Sequence, residues 1–173
     1  MTNDAKLAAR ARSLREHGST QRYYHDEVGF NYRMEGIQGA VLGVKLGHLD
    51  AWTAARRANA AAYHEALAGS GVVVPKERPG ARHVYHLYVV RSEDRDGLQA
   101  ALQARGIQTG LHYPIPVHLQ EAHRDLGYLR GQFPHAEAAA DDVLSLPMFP
   151  ELTRAQIGEV ADAVREHECA VLE

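Results

Sequence analysis

The sequence predicts a chain of the α/β class, in which helices and a long connecting helix lead into a small α+β domain. Three observations carry this prediction. Residues 1–55 have helical periodicity but no sheet for their apolar faces to cover. A helical pattern then continues from Met34 to Leu67. After Gly71 the pattern changes to β-prone segments that alternate with helices.

The first helix and the loop behind it follow from local signals. Asn3 and Asp4 are candidate N-cap residues, and Gly18 is a candidate stop. Residues 18–33 are polar and aromatic and lack the apolar periodicity of a helix, so a loop is predicted.

One long helix is predicted from Met34 to the glycines at 69 and 71. The first part of this helix is apolar on two faces and its last part is apolar on one face. This pattern favours a helix that connects two domains. The predicted domains are therefore residues 1–55, as the end of a larger domain with the start of this helix, and residues 56–173, as a small α+β domain.

The second part is predicted to contain three strands and four helices. The strands are at 72–74, 85–90 and 107–112. The helices comprise one capped by Ser92 and closed by Gly106, and three at 119–126, 134–144 and 153–168. The last helix starts with a capping box from Thr153 to Gln156. The run 146–150 is interpreted as core packing, and His48, His64, His135 and His167 as surface residues of helices.

Composition and charge exclude several classes of function. The chain is 45% apolar and 24% charged, with a net charge of −3 and the two signs interspersed. Without a basic stripe, a nucleic-acid partner is not expected. No stretch is long enough to cross a bilayer and no signal peptide begins the chain, so no membrane association is predicted. Cys169 is the single cysteine and cannot form an internal disulfide, which fits a cytoplasmic setting.

The sharpest local motif is H-Y-P-I-P-V-H at 112–118, after a predicted strand. Its two prolines stiffen the backbone, and stiff loops at strand ends are where α/β folds place ligand contacts. The alternative is a surface turn with hydrogen-bonded histidines. A hydrolytic metal site at His112 and His118 is also conceivable, but the nearby sequence supplies no carboxylate and no third ligand, so no metal is predicted.

A second motif, G-F-N-Y-R-M, lies immediately before the long helix. The amide of Asn31 and the guanidinium of Arg33, beside a helix N-terminus, would attract an anion. The alternative is that Asn31 caps the helix and Arg33 is a solvated charge.

Four stretches in this order are far more specific than any one of them. They are R-Y-Y-H-x-x-x-G-x-N-Y-R-M-x-x-I-Q-x-A at 22–40, H-V-Y-H-L-Y-V-V at 83–90, G-I-Q-T-G-L-H-Y-P-I-P-V-H-L-Q at 106–120 and L-S-L-P-M-F-P-E-L-T at 144–153. Together they resemble the DegT/DnrJ/StrS-type sugar aminotransferases, which use pyridoxal 5′-phosphate (PLP). The resemblance covers essentially the whole chain.

The resemblance implies the aspartate-aminotransferase fold (fold type I), of which this chain would be the C-terminal part. It implies a homodimer with active sites at the subunit interface, and transfer of an amino group from glutamate, which becomes 2-oxoglutarate, to a keto sugar nucleotide. Asn31 would reach the PLP phosphate of the neighbouring subunit, and Arg33 a carboxylate of the amino donor. His112, Tyr113 and His118 would line the sugar-nucleotide side, and the form of this loop looks most like members that aminate C3.

The resemblance also implies what this chain lacks. In the family the lysine that forms the Schiff base lies shortly before the segment that matches residues 2–4. Lys6, Lys45 and Lys76 do not stand in its context, so no catalytic residue can be assigned. The chain is expected to be a fragment that is inactive alone, complemented by a missing N-terminal half or a full-length subunit. The alternative is a non-catalytic sugar-nucleotide-binding or interaction module that supplies residues in trans.

Overall fold

The structure is a computed structural model that describes residues 1–171, and the chain divides after Leu49 into two compact units. The first unit contains two helices and a short antiparallel hairpin. These elements are α1 (Ala5–Arg15), β1 (Ser19–Gln21), β2 (Tyr24–His25) and α2 (Gly36–Leu46). No helix among residues 1–171 is both long and apolar enough to span a bilayer.

The N-terminus of α1 is capped as predicted. The carboxylate of Asp4 accepts hydrogen bonds from the amides of Lys6 (2.8 Å) and Leu7 (3.1 Å). The prediction that residues 18–33 are only a loop is wrong, because they contain the hairpin, in which Ser19 pairs with His25. A strand pair this short gives little sequence periodicity, since each strand has two or three residues.

The prediction of a single long helix from Met34 is also wrong, because α2 ends at Leu46 and a new helix begins at Leu49. At the break, the His48 amide donates to the Lys45 carbonyl (3.0 Å). This bond joins residues three positions apart, as in a 3₁₀ turn, and interrupts the α-helical hydrogen-bond ladder. Gly47, which has low helix propensity, lies inside that turn.

The second unit is a two-stranded antiparallel sheet surrounded by helices. Its elements are α3 (Leu49–Ala66), β3 (Tyr88–Arg91), α4 (Arg95–Ala104), two 3₁₀ turns (Val117–Leu119 and Glu121–Leu126), α5 (Pro134–Asp142), β4 (Val143–Leu146) and α6 (Arg154–Val171).

The sheet pairs β3 with β4, with Tyr88 opposite Leu146 and Val90 opposite Leu144. The strand predicted at 85–90 is present, but it begins three residues later than predicted, at Tyr88. Those predicted at 72–74 and 107–112 are reduced to single bridges, from Val73 to Arg91 and from Gly110 to Ser145.

The helix predicted at 134–144 is wrong at its end, where the chain becomes β4. Three of the four residues of β4 are buried, so its sequence has no alternation that would separate a strand from a buried helix end. The cap predicted for α4 is also wrong, since Asp94 rather than Ser92 accepts from the first turn, at the amide of Gly97 (3.2 Å).

The core lies where α3, the sheet, α4 and α6 meet. Its fully buried large side chains are Tyr63, Leu67, Tyr88, Val90, Leu98, Leu102, Leu144, Ile157 and Val164. The capping box of α6 is confirmed: the Gln156 side chain accepts from the Thr153 amide (3.0 Å), and the Thr153 hydroxyl accepts from the Gln156 amide (3.3 Å).

His64 is not the surface residue that its helical position suggested. Its ring nitrogens lie 2.6 Å from the Ala60 carbonyl and 2.7 Å from the Pro75 carbonyl, and its ring meets Tyr88 edge-on at 5.5 Å. These contacts join α3 to the segment that precedes β3.

Candidate functional site

In the first unit, backbone hydrogen bonds hold the segment that carries Asn31 against the end of α1. The Phe30 amide donates to the Leu14 carbonyl (2.6 Å), the His17 amide to the Phe30 carbonyl (3.0 Å), and the Tyr32 amide to the Arg15 carbonyl (3.1 Å). The backbone is therefore fixed while the Asn31 side chain is exposed to solvent.

The N-cap residue of α2 is Glu35, and its amide donates to the Gln38 side chain at 2.9 Å. The alternative interpretation of Asn31 as the cap of this helix is therefore wrong. An exposed carboxamide on a fixed backbone can instead offer its N–H groups to an external anion.

The guanidinium of Arg33 makes a weak ion pair. Its Nη1 lies 3.6 Å from a carboxylate oxygen of Glu16, while the other Glu16 oxygen lies 3.2 Å from Arg15. Half of the Arg33 side chain is exposed, and ion pairs of this length in solvent contribute little to stability. The planar fork of Arg33 can therefore exchange this contact for a bidentate one with another carboxylate.

An open apolar groove of about 610 Å³ adjoins Arg33. The residues that line it are Tyr32, Arg33, Met34, Ile37, Gln38, Val41 and Leu42. The groove continues along α2, none of whose residues is buried.

In the second unit, β4 holds His112 in place. The imidazole Nδ1 lies 2.9 Å from the Ser145 hydroxyl. Gly110 and Ser145 exchange two backbone hydrogen bonds (3.1 and 2.8 Å), and the imidazole packs directly over Gly110. A Cβ at Gly110 would lie 2.6 Å from His112 Cε1, so only glycine leaves room for the ring.

Tyr113 is the most exposed aromatic residue of this loop, with 74% of its surface accessible. Its ring lies 5.8 Å from the His112 ring and nearly perpendicular to it. The pair presents an imidazole and a phenol to solvent, next to the prolines 114 and 116.

His118 is anchored differently, with only 9% of its side chain exposed. Its Nε2 lies 3.0 Å from a carboxylate oxygen of Glu137, which also accepts from the Gly131 and Phe133 amides. The hydrogen bond from the Gly131 amide lowers the pKa of Glu137. Burial opposes this shift, and the hydrogen bonds from Phe133 and His118 add to it, so Glu137 is a carboxylate at neutral pH.

His118 also borders an apolar pocket of about 330 Å³ in the segment from 117 to 136. The residues that line it are Val117, His118, His123, Leu126, Tyr128, Phe133 and Ala136.

Sequence reasoning missed Ser145 and Glu137, the residues that anchor the two histidines. Both are buried polar residues, with 4% and 7% of their surface exposed. Each lies outside the motif at 112–118, and its role depends on long-range contacts. The one local signal was Ser145, a lone hydroxyl in an apolar run.

The three lysines, Lys6, Lys45 and Lys76, are all exposed. Within residues 1–171, no group of three or more His, Cys, Asp or Glu side chains is arranged to hold a metal ion. Asn31 and Arg33 lie in the first unit, and His112, Tyr113 and His118 lie in the second.

Comparison with known proteins gives consistent matches over nearly the whole chain. A family model described as the DegT/DnrJ/EryC1/StrS aminotransferase family matches residues 1–165. The chain is 48% identical over 169 residues to a protein of Geobacillus stearothermophilus named pleiotropic regulatory protein, covering 96% of this chain and 45% of that protein. It is 47% identical over 167 residues to dTDP-3-amino-3,4,6-trideoxy-alpha-D-glucose transaminase of Streptomyces venezuelae, covering 96% and 44%.

A crystal structure of S. venezuelae DesV superimposes with a TM-score of 0.88 at 47% identity, over 97% of this chain and 46% of that one. The chain thus spans less than half the length of the relatives it matches.

Proposed function

Because the chain belongs to the DegT/DnrJ/EryC1/StrS aminotransferase family, we propose that it is the C-terminal half of a PLP-dependent aminotransferase acting on a keto sugar nucleotide. Glutamate is the proposed amino donor and 2-oxoglutarate the product. The observation that carries the proposal is the exposed pair Asn31 and Arg33 on a fixed backbone, inside the matched region.

The groups on this segment fit the anionic end of PLP and of an amino acid. A phosphate needs N–H donors, which the Asn31 carboxamide offers, and a substrate carboxylate fits the planar fork of Arg33. When bound, PLP supplies the electron sink for chemistry at the carbon that carries the amino group. In this proposal Asn31 holds the phosphate of PLP bound by a partner subunit, and Arg33 orients the donor carboxylate.

The loop at 112–118 is proposed to face the sugar nucleotide. His112 and Tyr113 offer polar groups that can hydrogen-bond hydroxyls or phosphate oxygens of the substrate. His118 supports the end of the same loop. Amination at C3 is favoured by the name of the S. venezuelae relative, a 3-amino sugar transaminase.

The chain alone is proposed to be inactive, since Lys6, Lys45 and Lys76 are solvent-exposed and none matches the family's lysine motif. Activity then requires the lysine-bearing N-terminal part of the fold, whether it belongs to the same protein or to a partner subunit. Residues that act across an interface can be supplied in trans.

A non-catalytic role is the second candidate. It is favoured by the relative of G. stearothermophilus, whose name describes a regulatory protein and not a transaminase. In that case the chain would bind a sugar nucleotide or a protein partner without turnover. It differs from the first proposal in predicting no restored activity on mixing.

Complementation tests the proposal. The chain is mixed with PLP, glutamate, a 3-keto dTDP-sugar and the N-terminal part of the S. venezuelae relative, and formation of 2-oxoglutarate is followed. We expect turnover in the mixture, a large loss with Asn31→Ala, and no change with Asn3→Ala, a matched exposed asparagine. Absence of turnover, or equal activity of the two variants, would refute it.

Borohydride reduction of the chain with PLP tests the predicted inactivity separately. We expect no lysine to be labelled stoichiometrically. A single fully labelled lysine, located by peptide mass spectrometry, would contradict the claim that the Schiff-base lysine lies outside these residues.

A further inference from the structure

Glu137 is a buried carboxylate that joins three segments of the second unit. It lies in the first turn of α5 and exposes 7% of its surface. Its oxygens accept from the Gly131 amide (2.9 and 2.8 Å), the Phe133 amide (3.2 Å) and His118 Nε2 (3.0 Å). One side chain thus holds α5, the segment 128–133 and the end of the loop at 112–118.

The contacts leave little freedom for either partner. The His118 ring packs against the Phe133 ring at 4.7 Å, and the side chains of His118 and Glu137 are each 9% exposed. The guanidinium of Arg130 lies 4.0 Å from the carboxylate, and its side chain is two-thirds exposed. Burying the Glu137 carboxylate without these donors would cost free energy. The charge of Glu137 and the conformation of the loop at 112–118 therefore stabilise each other.

The carboxylate also determines which nitrogen of His118 carries hydrogen. A carboxylate can only accept, so Nε2 is the donor and the neutral ring keeps its acceptor at Nδ1. At the other end of the same loop, His112 is held by the Ser145 hydroxyl. The exposed Tyr113 therefore lies between two anchored ends.

We propose that Glu137 is a positioning residue: through His118 it holds the loop at 112–118 in its ligand-facing conformation, and it couples this loop to the segment 128–133. The role in ligand binding rests on the proposed function, whereas the coupling of the two segments does not. Loss of the carboxylate would free both segments, while loss of the imidazole would free the first alone.

Amide hydrogen exchange of the full chain, read by peptide mass spectrometry, tests the coupling. We expect Glu137→Gln to speed exchange about tenfold in both 112–120 and 128–133, because an amide cannot accept from all three donors. In 112–120 the reporting amides are those of Leu119 and Gln120, which donate to the carbonyls of Pro116 and Val117. His118→Leu, which removes the donor to Glu137, should speed exchange in 112–120 and leave 128–133 unchanged. Glu121→Gln, an exposed carboxylate paired with Arg124, is the matched control and should change neither segment.

Titration calorimetry with dTDP-glucose, on the chain mixed with the N-terminal part of the S. venezuelae relative, tests the functional part. We expect Glu137→Gln and His118→Leu to weaken binding about tenfold, the factor by which the bound conformation is depopulated, and Glu121→Gln to leave it unchanged. Thermal unfolding of each variant shows that the fold is retained. If Glu137→Gln does not fold, Glu137→Asp, which keeps the charge and shortens the reach of the carboxylate, is measured in its place with the same expected results.

The two experiments separate the two proposals. If the wild-type mixture does not bind dTDP-glucose, the substrate side of the proposed function fails, and the exchange data still decide the coupling. Faster exchange confined to 128–133 in Glu137→Gln would overturn the coupling. Faster exchange in both segments with unchanged affinity would overturn the positioning role.

Discussion

Replacing Tyr63 or Tyr88 with phenylalanine removes one hydroxyl from a pair of stacked rings in the core of the second unit. The ring centroids are 4.8 Å apart and both side chains are fully buried. The Tyr63 hydroxyl donates to the Pro147 carbonyl at 3.0 Å. The Tyr88 hydroxyl has no hydrogen-bond partner within the part of the chain that the structure describes.

The two substitutions should therefore change the free energy of unfolding in opposite directions. Tyr63→Phe loses a hydrogen bond and leaves the Pro147 carbonyl without it, which should destabilise the unit by roughly 1–3 kcal/mol. Tyr88→Phe removes a hydroxyl that was desolvated without compensation, which should stabilise the unit by about 1 kcal/mol. Packing changes little in either variant, since both rings remain.

Urea denaturation followed by circular dichroism and by the fluorescence of Trp52 gives the two free energies. The pair of measurements is its own control, because the variants make the same chemical change in adjacent rings. Destabilisation of similar size in both variants would show that the Tyr88 hydroxyl is satisfied in solution and would refute the reasoning.

The alkaline pH dependence gives a second measurement of the same pair. Burial raises the pKa of both Tyr63 and Tyr88 above the usual value near 10. Above pH 10 the unfolded chain has therefore lost protons that the folded chain retains, so stability falls as pH rises, by up to about 1.4 kcal/mol per pH unit for each group. Each phenylalanine variant should remove its own share of that slope; an unchanged slope would contradict the burial of its hydroxyl.

Three further predictions concern single sites. Arg57, and then the His83 amide, lower the pKa of Glu77 to about 2, so its contribution is present above pH 4.5 and lost towards pH 2; Glu77→Gln should make the melting temperature depend less on pH over that range, and an unchanged dependence would refute the prediction. Gly158→Ala, in the interior of α6 with open space at its Cβ, should raise stability by about 0.5–1 kcal/mol in denaturant titrations. Gly110→Ala should displace the His112 ring and weaken dTDP-glucose binding in calorimetry; wild-type affinity would show that the ring does not contribute.

The sequence predicted best what is determined over a few residues. The capping box at Thr153 and the cap at Asp4 need only neighbours within one helical turn, and both are present. The break after α2 was missed because apolar residues continue on both sides of Gly47. β4 was missed because a strand buried on both faces reads like the end of a helix.

The candidate site divides in the same way. Local motifs indicated Asn31, Arg33 and His112, and their binding roles stay predictions. What the sequence could not give is how these side chains are held, since Ser145 reaches His112 across 33 positions and Glu137 reaches His118 across 19. Such contacts depend on the topology of the fold, which cannot be read from a short stretch of sequence.

The exposure of α2 makes its helix content sensitive to any surface that covers it. A helix of 11 residues without buried side chains is marginal in water, because nucleation is costly and few hydrogen bonds offset it. Its ellipticity should rise when a partner covers it, and part of the binding energy is then spent on ordering it, which lowers the observed affinity. Glycine substitutions at α2 residues that do not line the groove would thus weaken such association by lowering helix propensity.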